Sequence, residues 1–399
     1  IIVGNAISRG NVELEHLLIQ NIPYLSMADA LYQFFLKEKR VIAITGTHGK
    51  TTTTAILAHI FKTANLSPSF LIGGVSSNYN SNYKLDEGEF FIIEGDEYDS
   101  AYFEKFPKFI LYRPDHIIVT SLEFDHADIY NNLDEIELWF KRLVNIIPGN
   151  GNIIYNSSFS NLQSICQSKF STSISYNSRN AGYSFTSEVI KNITSLSIYY
   201  KEELLLSANP LVFGKFNFEN ITAAVAMAIT CNIPIDSIIE AINTFSGVKR
   251  RQELIFQNDF VSIYEDFAHH PTAIKEVITS FKKHFNDSVI WAIYEPRSAT
   301  SRKTIFQNNL HSSFESADKV LLKTPFNAST IKNNDIIDIR AVSEKINVNK
   351  HKKSHVFDTV DKIIKFTNTE IDKNKSNIII IMSNGGFGDI YNKIIKAMQ

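Results

Sequence analysis

VIAITGTHGKTTTTAILAHI, residues 41–60, decides how this chain is read. Its first four residues are an unbroken apolar run, the pattern of a parallel strand covered on both faces. Further on, Ile56, Leu57, Ile60 and Phe61 recur at helical spacing, which predicts a helix from Thr51 to Ala64. Between strand and helix stands Gly46-Thr47-His48-Gly49-Lys50-Thr51-Thr52. A glycine-framed turn leading into a helix N-terminus aims backbone N–H groups outward and favours phosphate. Lys50 adds an ammonium for the terminal phosphates, and Thr51 adds a hydroxyl for Mg2+. A bare strand-to-helix turn with no ligand is the alternative, and Lys-Thr at the helix start argues against it. The common phosphate loop is G-x-x-x-x-G-K-[ST]. Here Gly46 precedes Gly49 by only three, a shortened form.

Two more buried strands follow, FFIIE (90–94) and IIVTS (117–121). Glu94 ends the first, and Glu123, Asp125, His126 and Asp128 lie just past the second. Ligands of open α/β sheets sit at the carboxyl ends of the strands, so these groups should converge on the phosphate loop. A glutamate facing the loop threonine offers two hard oxygens to Mg2+. His126 is placed to hold a second metal or to orient a substrate oxygen. Asp96, Glu97 and Asp99 read equally well as solvated loop or as site.

At 399 residues the chain should split into two or three domains. With 44% hydrophobic and 21% charged residues, it has an ordinary globular balance. A net charge of −2 gives no basic surface for nucleic acid or an anionic membrane. Two cysteines, Cys166 and Cys231, make no disulfide framework and fit a reducing, cytoplasmic setting. No apolar run approaches the roughly 18 residues of a membrane span, and no signal peptide is recognisable. The opening IIVGNAISRGN reads as a strand entering a loop, so the chain reads as beginning inside a domain. Short strands with Asn, Ser and Gly turns over 152–213 suggest an antiparallel patch. Past residue 246 a strand and helix pattern restarts with FVSIYED, SVIWAIYEP, ADKVLLK and NIIIIMSNGG, a second α/β unit. The polar stretch 326–352 gives no clear pattern.

Together these segments resemble the Mur ligase family, the ATP-dependent amide ligases of bacterial cell-wall synthesis. The likeness rests on IVGNAISRGN, GTHGKTTT, IEGDEYDSAYF, LEFDHADIY, GVKRRQEL, EDFAHHPTAI, YEPRS and MSNGGFGDIY, which run from residue 2 to 391. EYD, EFDHADIY, EPRS and SNGGFG together are most similar to the branch that adds a tripeptide during peptidoglycan recycling. The resemblance implies three parts: residues 1–36 as the remnant of a UDP-binding N-terminal domain, 37–246 as a P-loop ATP domain with a parallel sheet, and 247–399 as a Rossmann-like domain for the amine. It implies ATP and Mg2+ as cofactors, with Gly46, Thr47, His48, Gly49, Lys50, Thr51 and Thr52 around the phosphates. Thr51, Glu94 and His126 match the metal-site positions, and Lys50, Glu94 and His126 the catalytic ones. GKFNFENITAA matches a G-x-H-N-x-x-N pattern, with Asn217 and Asn220 near the base and Phe216 where His is usual. Arg251 matches an arginine that reaches the phosphates, and Asp266 a ribose ligand whose alternative is a helix cap. His270, Arg297, Ser298 and Asn384 match the substrate side. Lys141 falls near a lysine that some relatives carbamylate, on a helix whose solvated face also accounts for it.

The implied reaction joins the lactyl carboxylate of UDP-N-acetylmuramate to the amine of L-Ala-γ-D-Glu-meso-diaminopimelate through an acyl phosphate, in a bacterial cytoplasm. The rivals are the L-alanine-adding sister, a P-loop ATPase or switch without ligation, and a non-catalytic binding module. The third residue of the peptide and the oligomeric state stay open. Lys50→Ala is expected to abolish ligation, because nothing else in the loop carries its charge to the phosphates; ADP release in a coupled assay checks it.

Overall fold

The apolar run 41–44 becomes the strand Arg40–Thr45, inside a ten-stranded sheet. The structure is a computed structural model and describes residues 1–124, 129–130, 132–178, 182–190, 193–298, 300–327, 335–348 and 353–399. Across the sheet the strands run Glu203–Ala208, Ile193–Tyr200, Tyr183–Ile190, Thr172–Tyr176, Asn152–Asn156, His116–Val119, Arg40–Thr45, Phe90–Glu94, Ser69–Ser76 and Ser81–Lys84. From Tyr183–Ile190 to Ser69–Ser76 all pairings are parallel. The antiparallel reading of 152–213 is therefore corrected. Asn152–Asn156 and Thr172–Tyr176 extend the parallel sheet, and only the strands from Tyr183 to Ala208 pair antiparallel with one another. Short strands without helices long enough to recognise between them disguised that connection.

Strand side chains alternate between faces, and both faces are covered. Ile42, Ile44, Ile92, Ile118 and Ile154 share one core with helices Lys50–Thr63, Lys215–Thr230 and Ile235–Thr244. Val41, Ala43, Phe91, Ile93, Ile117, Val119 and Ile153 share the other with helix Leu133–Ile146. This double cover is why the strands read as continuous apolar runs.

The second sheet has the order Glu253–Gln257, Val261–Asp266, Asn377–Met382, Val289–Tyr294, Lys319–Lys323 and Ser354–Phe357. All pairs but the first are parallel. The chain's last strand, Asn377–Met382, runs between two earlier ones, with Asp266 and Tyr294 both opposite Met382. Three strands thus end level, and the residues after them emerge together. Helix Ile339–Val348 lies inside the stretch that gave no pattern, burying Ile339, Val342 and Ile346. The first 36 residues hold a two-stranded parallel sheet, Ile2–Val3 with Leu25–Ser26, and helix Val12–Ile19. Among the described residues no helix is long and apolar enough to cross a membrane.

The two sheets are joined at 246–252. Ser77 N–H donates to Gly247 O, and Lys249 N–H to Val75 O, tying the junction to the end of strand Ser69–Ser76. In the second sheet Asn377 is fully buried and anchors the start of the middle strand. Its Nδ2 donates to the carbonyls of Phe260, Asp372 and Lys375, and its Oδ1 accepts the Trp291 indole N–H at 3.1 Å. Asn377→Leu strands these groups and should cost about 2–4 kcal/mol, more than one unsatisfied partner; urea unfolding measures it.

Candidate active site

Two glycines shape the loop. Gly46 and Gly49 have φ of 123° and 85°, in the left-handed half where side chains are strained. A Cβ on Gly49 would lie 2.5 Å from Asn220 Oδ1, so the loop sits directly on helix Lys215–Thr230. Asn220 Oδ1 also accepts from Thr53 Oγ1 at 3.2 Å. Asn220 is thereby placed beneath the loop. Asn217 donates from Nδ2 to Phe213 O and Gln252 Oε1, reaching the junction. Thr51 and Thr52 are buried in the helix's first turn.

Lys50 is largely buried, and its ammonium donates to Glu97 Oε2 at 2.7 Å and to Gly46 O at 2.6 Å. Burial alone lowers a lysine pKa, but the carboxylates of Glu97, Glu94 and Asp96 outweigh it and hold Lys50 above its ordinary value. Glu97 also accepts the Gly46 N–H at 3.2 Å. Sequence reading left Glu97 undecided; its position three residues after Glu94 was the available signal.

Thr51 Oγ1 donates to Glu94 Oε1 at 3.1 Å, so the threonine and glutamate read as a metal pair do meet. Gly73 N–H donates to Glu94 Oε2 at 2.7 Å, and a Cβ there would come within 2.6 Å of that oxygen. Burial raises the Glu94 pKa, against the pull of Lys50, Gly73 and Arg251. A buried carboxylate lifted in this way, with a hydroxyl beside it, is a donor set that suits a hard divalent cation. His126 lies outside the described residues. The Lys141 side chain is half exposed and 3.7 Å from Glu137, as a solvated helix face predicts.

The second sheet supplies the facing wall. Asp266 is buried and accepts from Gln252 N–H at 2.9 Å and Ala268 N–H at 2.8 Å. It is not the cap of the following helix, which corrects the alternative reading. His270 is the cap, with Nδ1 accepting from Thr272 N–H at 3.3 Å. Burial raises the Asp266 pKa and lowers that of Arg251; their mutual attraction opposes both shifts, and Glu94 opposes that of Arg251. Arg251 also lies over the Phe267 ring, 4.7 Å from its centroid. Phe216 packs against the core of the second sheet, so its phenyl group contributes to the contact between the two units.

Arg297 stacks on Phe326, 3.7 Å from the ring centroid, and donates to buried Glu295 at 3.4 Å. Gly385 abuts it so closely that any side chain would collide. Asn384 Oδ1 is buried without a hydrogen-bond partner among the described residues, an acceptor suited to an amine or amide N–H. Ser298 spends its hydroxyl within its own turn, donating to Ser301 Oγ and accepting from Ser301 N–H. Glu123, which the sequence placed only in an acidic loop, is bonded to His48 at 2.9 Å. Its pKa is lowered, first by that hydrogen bond.

Residues 44–228 match the Mur ligase middle domain and residues 250–385 the Mur ligase glutamate ligase domain. The UDP-N-acetylmuramate–L-alanyl-γ-D-glutamyl-meso-2,6-diaminoheptandioate ligase of Escherichia coli K12 is 33% identical over all of this chain and 84% of its own length. The UDP-N-acetylmuramate–L-alanine ligase of Clostridium acetobutylicum is 29% identical over 98% of this chain and 82% of its own. The solved murein peptide ligase of Psychrobacter arcticus 273-4 superposes with TM-score 0.67 at 31% identity, over the whole chain and 85% of that structure. The UDP-N-acetylmuramate–alanine ligase of Thermotoga maritima has TM-score 0.79 over the whole chain and 84% of its own; at 19% identity this shows the fold.

Gly73→Ala should push Glu94 away from Thr51. The Mg2+ concentration for half-maximal ADP formation is expected to rise by about tenfold or more, the scale of a disturbed metal-orienting group. A magnesium titration with the fold checked by circular dichroism tests this, and an unchanged requirement would remove Glu94 from the metal.

Proposed function

This chain belongs to the Mur ligase family of ATP-dependent, ADP-forming peptide ligases, and we propose that it joins UDP-N-acetylmuramate to the amine of L-Ala-γ-D-Glu-meso-diaminopimelate, a step of peptidoglycan recycling. The observation that carries this reading is the match at 33% identity along the entire chain to a ligase named for that reaction. ATP and the UDP-sugar are cytoplasmic metabolites, so the reaction belongs in the bacterial cytoplasm.

The lactyl carboxylate attacks the γ-phosphorus of ATP, forming a C–O–P bond as the bond to ADP breaks. The amine then attacks the acyl carbon, phosphate leaves, and the ammonium proton is lost to give the amide. A carboxylate is a poor electrophile, and phosphorylation supplies the leaving group. Approach of carboxylate to triphosphate sets negative charge against negative charge. Lys50, held charged and in place by Glu97, offsets this, and so does Arg251 from the junction. Thr51 and Glu94 would hold Mg2+, whose charge further neutralises the phosphate oxygens when it is bound. Asp266 binds the ribose hydroxyls and Asn220 lies towards the base. The second sheet closes the other side of the cleft and keeps water from the activated acyl group.

The amine side rests on Arg297, His270 and Asn384. A guanidinium fixed by Phe326 and Glu295 presents a preset fork to a peptide carboxylate. Arg297 meets Glu295 through Nη1 at a single oxygen, so the other N–H donors of the fork can take a substrate carboxylate. L-Alanine has no carboxylate remote from its nitrogen, so Arg297 discriminates between the acceptors.

Arg297→Ala is expected to weaken the tripeptide by about 2–3 kcal/mol, as for a lost charged hydrogen bond, with ATP affinity nearly unchanged. The deciding comparison is kcat/KM for tripeptide against L-alanine, with product masses recorded. A preference for L-alanine would leave the sister reaction standing, and ADP release independent of any amine would point to an ATPase.

A further inference from the structure

Glu123 touches both units at once. It lies in the loop after strand His116–Val119 of the large sheet. Its backbone is pinned to the phosphate loop: Glu123 N–H donates to Thr47 Oγ1 at 2.9 Å, and Thr47 Oγ1 donates to Glu123 O at 3.2 Å. The side chain is left to reach outward. Oε2 accepts from His48 Nε2–H at 2.9 Å, and Oε1 accepts from Thr272 Oγ1 at 3.4 Å. His270 Nδ1 is 3.9 Å from Oε2, and the His48 and His270 rings are 4.9 Å apart. His48 belongs to the phosphate loop, whereas His270 and Thr272 form the start of helix Pro271–His284 in the second unit. A carboxylate at a helix N-terminus is also favoured by the helix dipole.

Two imidazoles and a carboxylate with ligand atoms within 4.8 Å would suit a transition metal by composition. Their hydrogen bonds argue otherwise. His48 Nε2 keeps a proton on Glu123, and the His270 Nδ1 lone pair caps the helix. A metal would have to break both bonds and uncap the helix.

We propose that Glu123 is a positioning residue, a hydrogen-bonded latch through which occupation of the phosphate loop is coupled to docking of the second unit's helix Pro271–His284. One carboxylate serves both partners, so moving His48 when phosphate enters changes what Thr272 and His270 meet. The coupling runs equally in reverse: a docked helix holds His48, and with it the loop between Gly46 and Gly49. The inference depends on ATP binding and not on which amine is joined.

Hydrogen exchange on the whole chain, with and without a nonhydrolysable ATP analogue and Mg2+, tests the latch. In the wild type the analogue should slow exchange of the amides at 272–276. In Glu123→Ala that protection should fall about tenfold, within the usual range of coupling between sites. Affinity for the analogue should fall by about the same factor, because the coupling is reciprocal. Glu123→Ala keeps both backbone bonds to Thr47, so the loop stays in place. Thr272→Val cuts the other arm without touching the phosphate loop, and should give the same loss. The double variant should lose no more than Glu123→Ala alone, because both arms end on one carboxylate. Retained protection in either single variant, or additive losses in the double, would overturn the latch. So would an affinity loss well beyond the protection loss, which would make Glu123 part of the nucleotide site itself.

Discussion

The ion pair between Lys50 and Glu97 sets the terms for everything around it. A lysine side chain only 12% exposed keeps its charge only beside carboxylates. Three of them, Glu97, Glu94 and Asp96, come from the end of strand Phe90–Glu94 and the residues just after it. That surplus of negative charge then needs its own compensation. Lys108 pairs with Asp96 at 3.0 Å, and Arg251 draws near Glu94 from the junction. Arg251 in turn faces Asp266 at the end of a strand in the second sheet. Charge alternates from the phosphate loop to the second unit as Lys50, Glu94, Arg251, Asp266. Within a poorly solvated cleft each member is held by its neighbours, and the loss of one leaves another buried without compensation.

This array has the charge balance of a site that takes up phosphate. Lys50 donates both to the carboxylate of Glu97 and to Gly46 O, and a phosphate oxygen would displace the neutral carbonyl more readily than the carboxylate. Glu94 is shared between Thr51 and Gly73 and raised in pKa by burial, a condition that added positive charge relieves.

The second unit contributes by alignment. Its middle strand is the last in sequence, and the register that levels Asp266, Tyr294 and Met382 brings Asp266, Glu295 to Arg297 and Ser383 to Asn384 to one edge. The Arg250 guanidinium ties this edge together, donating to Glu265 at 2.6 Å and to the carbonyls of Ser383 and Gly385. Phe216 fits the same picture. Its phenyl group packs into the contact between units.

Local order along the chain was enough to read the strand, glycine turn and helix around Lys50, the meeting of Thr51 with Glu94 and the two α/β units. Those features rest on strand and helix periods and on a glycine turn, all of which act over a few residues. Thr51 and Glu94 could be paired in advance because parallel strands place their carboxyl ends at one edge. What stayed illegible depends on contacts between distant segments. The parallel pairing of Asn152–Asn156 with Thr172–Tyr176 needs a crossover with little helix of its own to announce it. The partnership of Glu97 with Lys50 depends on which way one carboxylate turns in a crowded acidic loop. The capping of helix Pro271–His284 by His270 and not Asp266 depends on backbone N–H groups at Gln252 and Ala268 claiming the aspartate first. The meeting of Glu123 with Thr272, 149 positions apart, exists only when two sheets dock. Residue types and their local period determined which chemistry the chain could hold; the tertiary structure decided which groups share it, because hydrogen bonds and charges are apportioned in space.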